Sequence, residues 1–134
     1  MRAHAVVAAT LLVGLLAGCS SSSPGLEVLR ADPMATATPA GLTSQSVSED
    51  AGGVTFGIRQ PCSLLRTLHL TDPVSALVEL DQGAQDAGWA ARAPLDLTVT
   101  PAAAFYKRTV DGRPLELTLT WDGTDEVVQD LSTP

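Results

Sequence analysis

The sequence predicts an α+β fold: one main helix packed on an antiparallel sheet of four or five strands, with a long loose N-terminal segment. Three observations carry this reading. Residues 73–87 space their apolar side chains as one face of a helix. The run Leu115, Leu117, Leu119 and Trp121 alternates with Glu116, Thr118 and Thr120, the period of a strand buried on one side only. Asp111-Gly112 supplies the positive-φ turn that joins two antiparallel strands through two residues.

Taken in order, the chain starts with Arg2 and His4, then an apolar stretch from Ala5 to Ala17 and a small residue, Gly18. A charged start, a short apolar middle and a small-residue exit are the build of a secretory signal peptide. The stretch falls short of the roughly 20 apolar residues that cross a bilayer. Leu16-Ala17-Gly18-Cys19 resembles the lipobox of bacterial lipoproteins. The resemblance implies cleavage between Gly18 and Cys19 and a diacylglyceryl group on the Cys19 thiol. Two acyl chains hold a protein stably on a membrane where one holds it marginally. Residues 1–18 are then a removed signal, and 19–25, with Ser20 to Ser23, Pro24 and Gly25, a lipidated cysteine and tether. Residues 26–134 form a single domain. The expected address is the extracytoplasmic face of the cell membrane, with the membrane itself the first partner.

Beyond Cys19 the chain has seven Lys and Arg against fifteen Asp and Glu. Nucleic-acid binding depends on neutralising phosphates with basic side chains, so that class is excluded. A polybasic grip on anionic lipid is excluded on the same ground. With Cys19 in a thioether, Cys62 has no partner for a disulfide, and a free cysteine is most often an apolar filler.

Leu26–Ala31 reads as a short first strand, and 32–53 as a loop poor in large apolar groups, closed by the turn Asp50-Ala51-Gly52-Gly53. Val54, Phe56 and Ile58 alternate as a half-buried strand. Leu64, Leu68 and Leu70 mark another, with Arg66 on its apolar side and therefore expected near an edge. Thr71-Asp72-Pro73 is a helix start, since Asp caps free N–H groups and Pro suits the first position. Val74, Leu77, Leu80, Ala84 and Ala87 form that helix's buried face, and Gly88 its stop. Leu95, Leu97 and Val99 predict a further strand, residues 102–121 the hairpin, and Thr124 onward a short final helix. Trp89 and Trp121 are expected to be core. Among these pieces, the lipobox, the loose N-terminal segment, the helix ending in "GW" and the late hairpin look like small uncharacterised lipoproteins of high-GC Gram-positive bacteria, a likeness that carries no activity with it.

Chemistry is sparse. Beyond Cys19 there is one histidine, His69, and no glycine pattern that would present a serine nucleophile or cradle phosphate. Ser63, His69 and Asp72 supply the residue types of a triad, and Cys62 with His69 those of an activated thiol. His69 falls on the polar parity of its strand. Zinc wants three or four Cys or His ligands, and Asp122, Asp125, Glu126 and Asp130 lack the alternating spacing of a calcium loop. No metal and no cofactor are expected. Tyr106 with Arg108, and Phe105 with Lys107, share strand faces. Tyr106, Lys107 and Arg108 are the expected partner surface, an aromatic beside cations.

The expected function is a lipid-anchored extracytoplasmic interaction module. The alternatives are a small envelope enzyme using His69 with Cys62 or carboxylates, and a carrier for an apolar ligand beside Gly83, Ala84 and Ala87. Labelled fatty acid is expected to enter the wild-type protein in its native envelope and not the Cys19→Ala variant, as read by gel autoradiography; equal labelling of both removes the anchor.

Overall fold

A computed structural model describes residues 23–134. The expected signal, its cleavage point at Gly18 and the lipid site Cys19 lie outside the described residues. The elements are α1 (Pro24–Ala31), a 3₁₀ turn (Pro33–Ala35), β1 (Leu42–Asp50), β2 (Gly53–Thr55), β3 (Ile58–Gln60), β4 (Ser63–Leu70), α2 (Pro73–Asp86), β5 (Ala90–Ala91), β6 (Ala102–Val110), β7 (Arg113–Trp121) and β8 (Glu126–Ser132).

The fold is α+β, with six antiparallel strands in the main sheet, in the order β1-β4-β8-β7-β6-β5, where four or five were expected. β2 and β3 form a separate two-stranded ribbon. The chain lays down β1 and β4, crosses over through α2, and returns as the meander β5 to β8, whose last strand pairs with β4. Both helices lie on one face. There Leu26 and Leu29 of α1 and Leu77, Leu80 and Ala84 of α2 meet Leu64, Leu68, Leu117, Leu119, Val127 and Leu131 of the sheet.

α2 follows its sequence signals. Asp72 caps it, accepting from the Ser75 N–H at 3.1 Å, Pro73 occupies the first turn, and Gly88 sits just past the end at φ +88°. Val74, expected on the buried face, is exposed at the helix's first turn, and Ala76 takes its place. The β6–β7 hairpin turns at Asp111 and Gly112, φ +50° and +74°, with Leu115, Leu117 and Leu119 buried. Trp89 is buried as expected, whereas Trp121 is half-buried, its indole donating to the Thr124 carbonyl at 2.7 Å.

Five expectations are corrected. Leu26–Ala31 is helical, because Ser23 caps the segment, accepting from the Leu26 N–H, and Pro24 opens it. Ser23, Pro24 and Gly25 therefore belong to the folded domain and not to a tether. The stretch 32–53, read as a loop, contains β1, an exposed edge strand held by eight-residue pairing with β4 and not by apolar burial. Val54 to Ile58 is not one strand but the tip of the β2–β3 ribbon, which reverses at Phe56-Gly57, φ +51° and +75°. Residues 95–99 are irregular, since the Asp96 carboxylate accepts from the Thr98 N–H and hydroxyl and bends the backbone into a local turn. The segment from Glu126 is a strand: pairing on both sides, with β4 and β7, outweighs the helix-capping pattern at Thr124.

Arg66 is the fifth. It lies one strand in from the sheet edge but is 1% exposed, covered on both sides by β1 and β8 and not open to solvent as an edge charge would be. Its guanidinium donates to the carbonyls of Met34 (3.0 Å) and Ala37 (2.8 Å) and to the Gln45 side chain (2.8 Å). Gln129 on β8 donates to the same Met34 carbonyl at 2.5 Å. The buried polar pair thus fastens the non-repetitive 33–37 segment down on the sheet. Arg66→Ala is expected to lower stability by about 3 kcal/mol, because a buried cavity is added to orphaned acceptors. Arg66→Gln should recover part of that loss. Urea midpoints at constant slope test both.

Candidate functional site: the open face of the sheet

With both helices on one side, the other side of the main sheet carries no covering layer among the described residues. The strand register builds it in rows. Ser48, Leu65, Asp130, Thr118 and Phe105 form one row across β1, β4, β8, β7 and β6. Ser46, Thr67, Val128, Thr120 and Ala103 form the next, and Asp50, Ser63, Ser132, Glu116 and Lys107 another. The surface is a field of hydroxyls with three larger apolar groups, Leu65, Val128 and Phe105. Its charges are mainly acidic: Asp50, Glu116, Glu126 and Asp130 against Lys107, with His69 at one corner.

Asp130 sits at the centre of this face. Its Oδ1 is shielded from solvent and has no hydrogen-bond partner. Leu65 and Thr118 stand directly beside it on the neighbouring strands. Partial burial pushes its carboxyl above the ordinary Asp range, since the charged form is the one that loses hydration. Buried polar atoms nearly always find partners, so this lone acceptor carries a desolvation cost that no donor among the described residues offsets.

The expected partner surface is split by the strand. Lys107 lies on the open face, 3.7 Å from Glu116. Tyr106 points the other way, 1% exposed, its hydroxyl donating to the Asp81 carboxylate on α2. Burial, and the hydrogen bond to Asp81, raise the phenol well above its usual range. Arg108 also faces the helices and donates to Asp32 at 2.8 Å. Asp32 further accepts from the Trp89 indole at 3.1 Å and the Met34 N–H at 2.9 Å. Tyr106 and Arg108 are therefore structural, and Phe105, half-exposed, is the aromatic that accompanies Lys107. Asp130, the residue at the centre, had no sequence signal beyond its place in an acidic cluster.

The catalytic constellations do not assemble. Ser63 and His69 lie at opposite ends of β4, six residues or about 20 Å apart in an extended strand. Asp72 is committed to capping α2, and its hydrogen bonds from Ser75 hold its carboxyl below the usual range. Cys62 lies one residue further from His69 and is nearly buried, its thiol donating to the Ala51 carbonyl at 3.1 Å. The His69 ring is 3.8 Å from Asp125 and 3.9 Å from Glu126, an ion pair when protonated. Among the described residues no group of three Cys, His, Asp or Glu side chains is placed to hold a metal ion. No protein-family model, curated protein or solved structure matches this chain.

A carboxyl with a raised folded-state pKa loses stability as pH rises from the unfolded value, 3.8, through the folded value. Asp130→Asn is thus expected to raise Tm at neutral pH, by about 2 °C. The gain should vanish well below pH 3.8, where the carboxyl is neutral in both states. Calorimetry across pH 3 to 7 checks it, and a gain that grows on acidification contradicts the assignment.

Proposed function

We propose that this protein is a lipid-anchored binding module on the extracytoplasmic face of the cell membrane, and that the open sheet face is its docking surface. The observation that carries the docking half is the one-sided architecture: a five-strand-wide face of hydroxyls and carboxylates around the unpartnered Asp130. The anchoring half rests on the lipobox resemblance at Leu16 to Cys19. Among the described residues no helix is long and apolar enough to cross a membrane. The face suits a partner that brings hydrogen-bond donors or positive charge, because its own groups are mostly acceptors and acids.

The enzyme alternative draws no support from the separation of Cys62 and His69 along β4. For the carrier alternative, the space beside Gly83 is a surface depression of about 150 Å³ bordered by Met34, Thr38 and Glu79. That is below the size in which small-molecule ligands bury most of their surface.

A photoreactive amino acid at Thr118 is expected to give one discrete cross-linked band in intact cells. The same group at Gln82, on the exposed side of α2, should give none. Phe105→Arg together with Asp130→Lys should abolish the Thr118 band. Equal banding from both positions, or a band that survives the double substitution, rejects the open face as the docking surface.

A further inference from the structure

We propose that the β2–β3 ribbon is a membrane wedge whose tip, Phe56, enters the lipid surface beside the acyl anchor; this rests on the anchored reading above. The ribbon is apolar where a protruding turn is ordinarily polar. Phe56 is fully exposed at 100%, Val54 is 70% exposed and Ile58 64%. Phe56 holds φ +51°, a left-handed position that Asn, Asp or Gly fills at less cost. A bulky apolar residue kept at a strained, fully exposed tip points to a function for that tip.

The ribbon's tip stands clear of the domain, while Val54 and Arg59 border a cavity shared with Ser23, Cys62 and Arg113. All six of the ribbon's strand residues are exposed, and a Cβ added at Gly53 or Gly57 would meet nothing within 4 Å. Val54 pairs with Arg59, and Thr55 with Ile58, so Val54 and Ile58 lie on opposite sides of the ribbon with Phe56 at its end. A groove on a partner protein would be met by one side. A lipid surface surrounds an inserted tip on every side, and that matches the distribution here.

Placement gives the second argument. Ser23, where the described chain begins, donates to the carbonyl of Ala51 at 2.9 Å, at the base of the ribbon. The expected anchor, Cys19, is four residues before Ser23, at most about 14 Å of extended chain. From Gly52 to Phe56 the ribbon reaches about 13 Å. An anchor held in the bilayer through that length therefore keeps the tip within reach of the same depth. Charge agrees. Arg59 and Arg113 border one cavity of about 450 Å³ beside Ser23 and Cys62, lined by no Asp or Glu side chain. Neither arginine forms an ion pair among the described residues. In an acidic chain, this corner offers lipid phosphates two guanidiniums that have no ion-pair partner among the described residues.

The chain has two phenylalanines, Phe56 and Phe105, which makes fluorophenylalanine a two-signal probe. The lipidated full chain is placed in bicelles containing phosphatidylglycerol, with and without a lipid carrying a nitroxide near the head of its acyl chain. The two ¹⁹F signals are assigned with Phe56→Leu and Phe105→Leu. Most of the Phe56 intensity is expected to disappear with the nitroxide while Phe105 keeps its own. A Phe56 signal that survives in protein diffusing with the bicelles overturns the wedge and leaves the anchor standing. Protein that diffuses freely fails the anchor. In that case a broadened Phe56 supports the ribbon as a lipid-binding element by itself, and an unbroadened one overturns it.

Discussion

The fold depends on a buried cation. Arg66 places a guanidinium under the 33–37 segment, where it is the side-chain donor to the Ala37 carbonyl and shares the buried Met34 carbonyl with Gln129. Such a segment has no ladder to satisfy it, so the hydrogen bonds come from a side chain. Gln45 on β1 and Gln129 on β8 complete the arrangement from either side. Four pieces of chain distant in sequence are fixed by one side chain: the cover segment, the edge strand β1, β4 itself and its other neighbour β8. Charged groups hydrogen-bonded in this way are costly to orphan, which ties the position of each piece to the others.

Asp32 does the same work at the end of α1. By accepting from Met34, Trp89 and Arg108 it joins α1, the exit of α2 and strand β6 on the helix side of the sheet. Tyr106 adds a third cross-layer link to Asp81. The polar cross-links thus gather on the covered side, where all their groups but the buried Arg66 Nε find partners among the described residues. On the open side the hydroxyl rows and Asp130 meet no layer among the described residues. This asymmetry is a physical reason to separate the two faces by role, one holding the domain together and the other presenting it.

What could be read in the sequence divides along the same line. α2 and the β6–β7 hairpin announce themselves locally: Asp72-Pro73, Gly88 and Asp111-Gly112 fix starts, stops and turns through backbone chemistry within a few residues. β1 does not, because an edge strand of Ser, Gln and Glu pairs through its backbone, and no side-chain period records that. The strand β8 was masked by Thr124, whose hydroxyl accepts from the Glu126 N–H as a cap would, although the chain goes on as a strand. For Tyr106, both parities of the 102–108 stretch carry alanine, an aromatic and a cation. The tie is broken by Asp81, 25 residues away, and by Asp32 further still. Asp130 was invisible as a centre for a related reason: its isolation is a property of five strands meeting, not of its neighbours in sequence.

The ribbon gives the clearest case of a local signal read with the wrong period. Alternating Val54, Phe56 and Ile58 fit a half-buried strand, but Gly57 allows a reversal that puts all three in solvent. Apolar exposure of this kind weakens solubility and contributes nothing to the core, so stability does not account for it. The base of the ribbon, by contrast, is tied tightly. The Ala51 carbonyl accepts from both Ser23 and Cys62, and a Cβ on Gly25 would come within 2.6 Å of the Cys62 sulfur. Cys62 thus has a packing role that requires neither an oxidised partner nor a catalytic one. It closes the corner at which the first described residue and the ribbon meet. A projecting apolar tip on a firmly held base, next to the point where the chain enters the domain, transmits the position of one to the other.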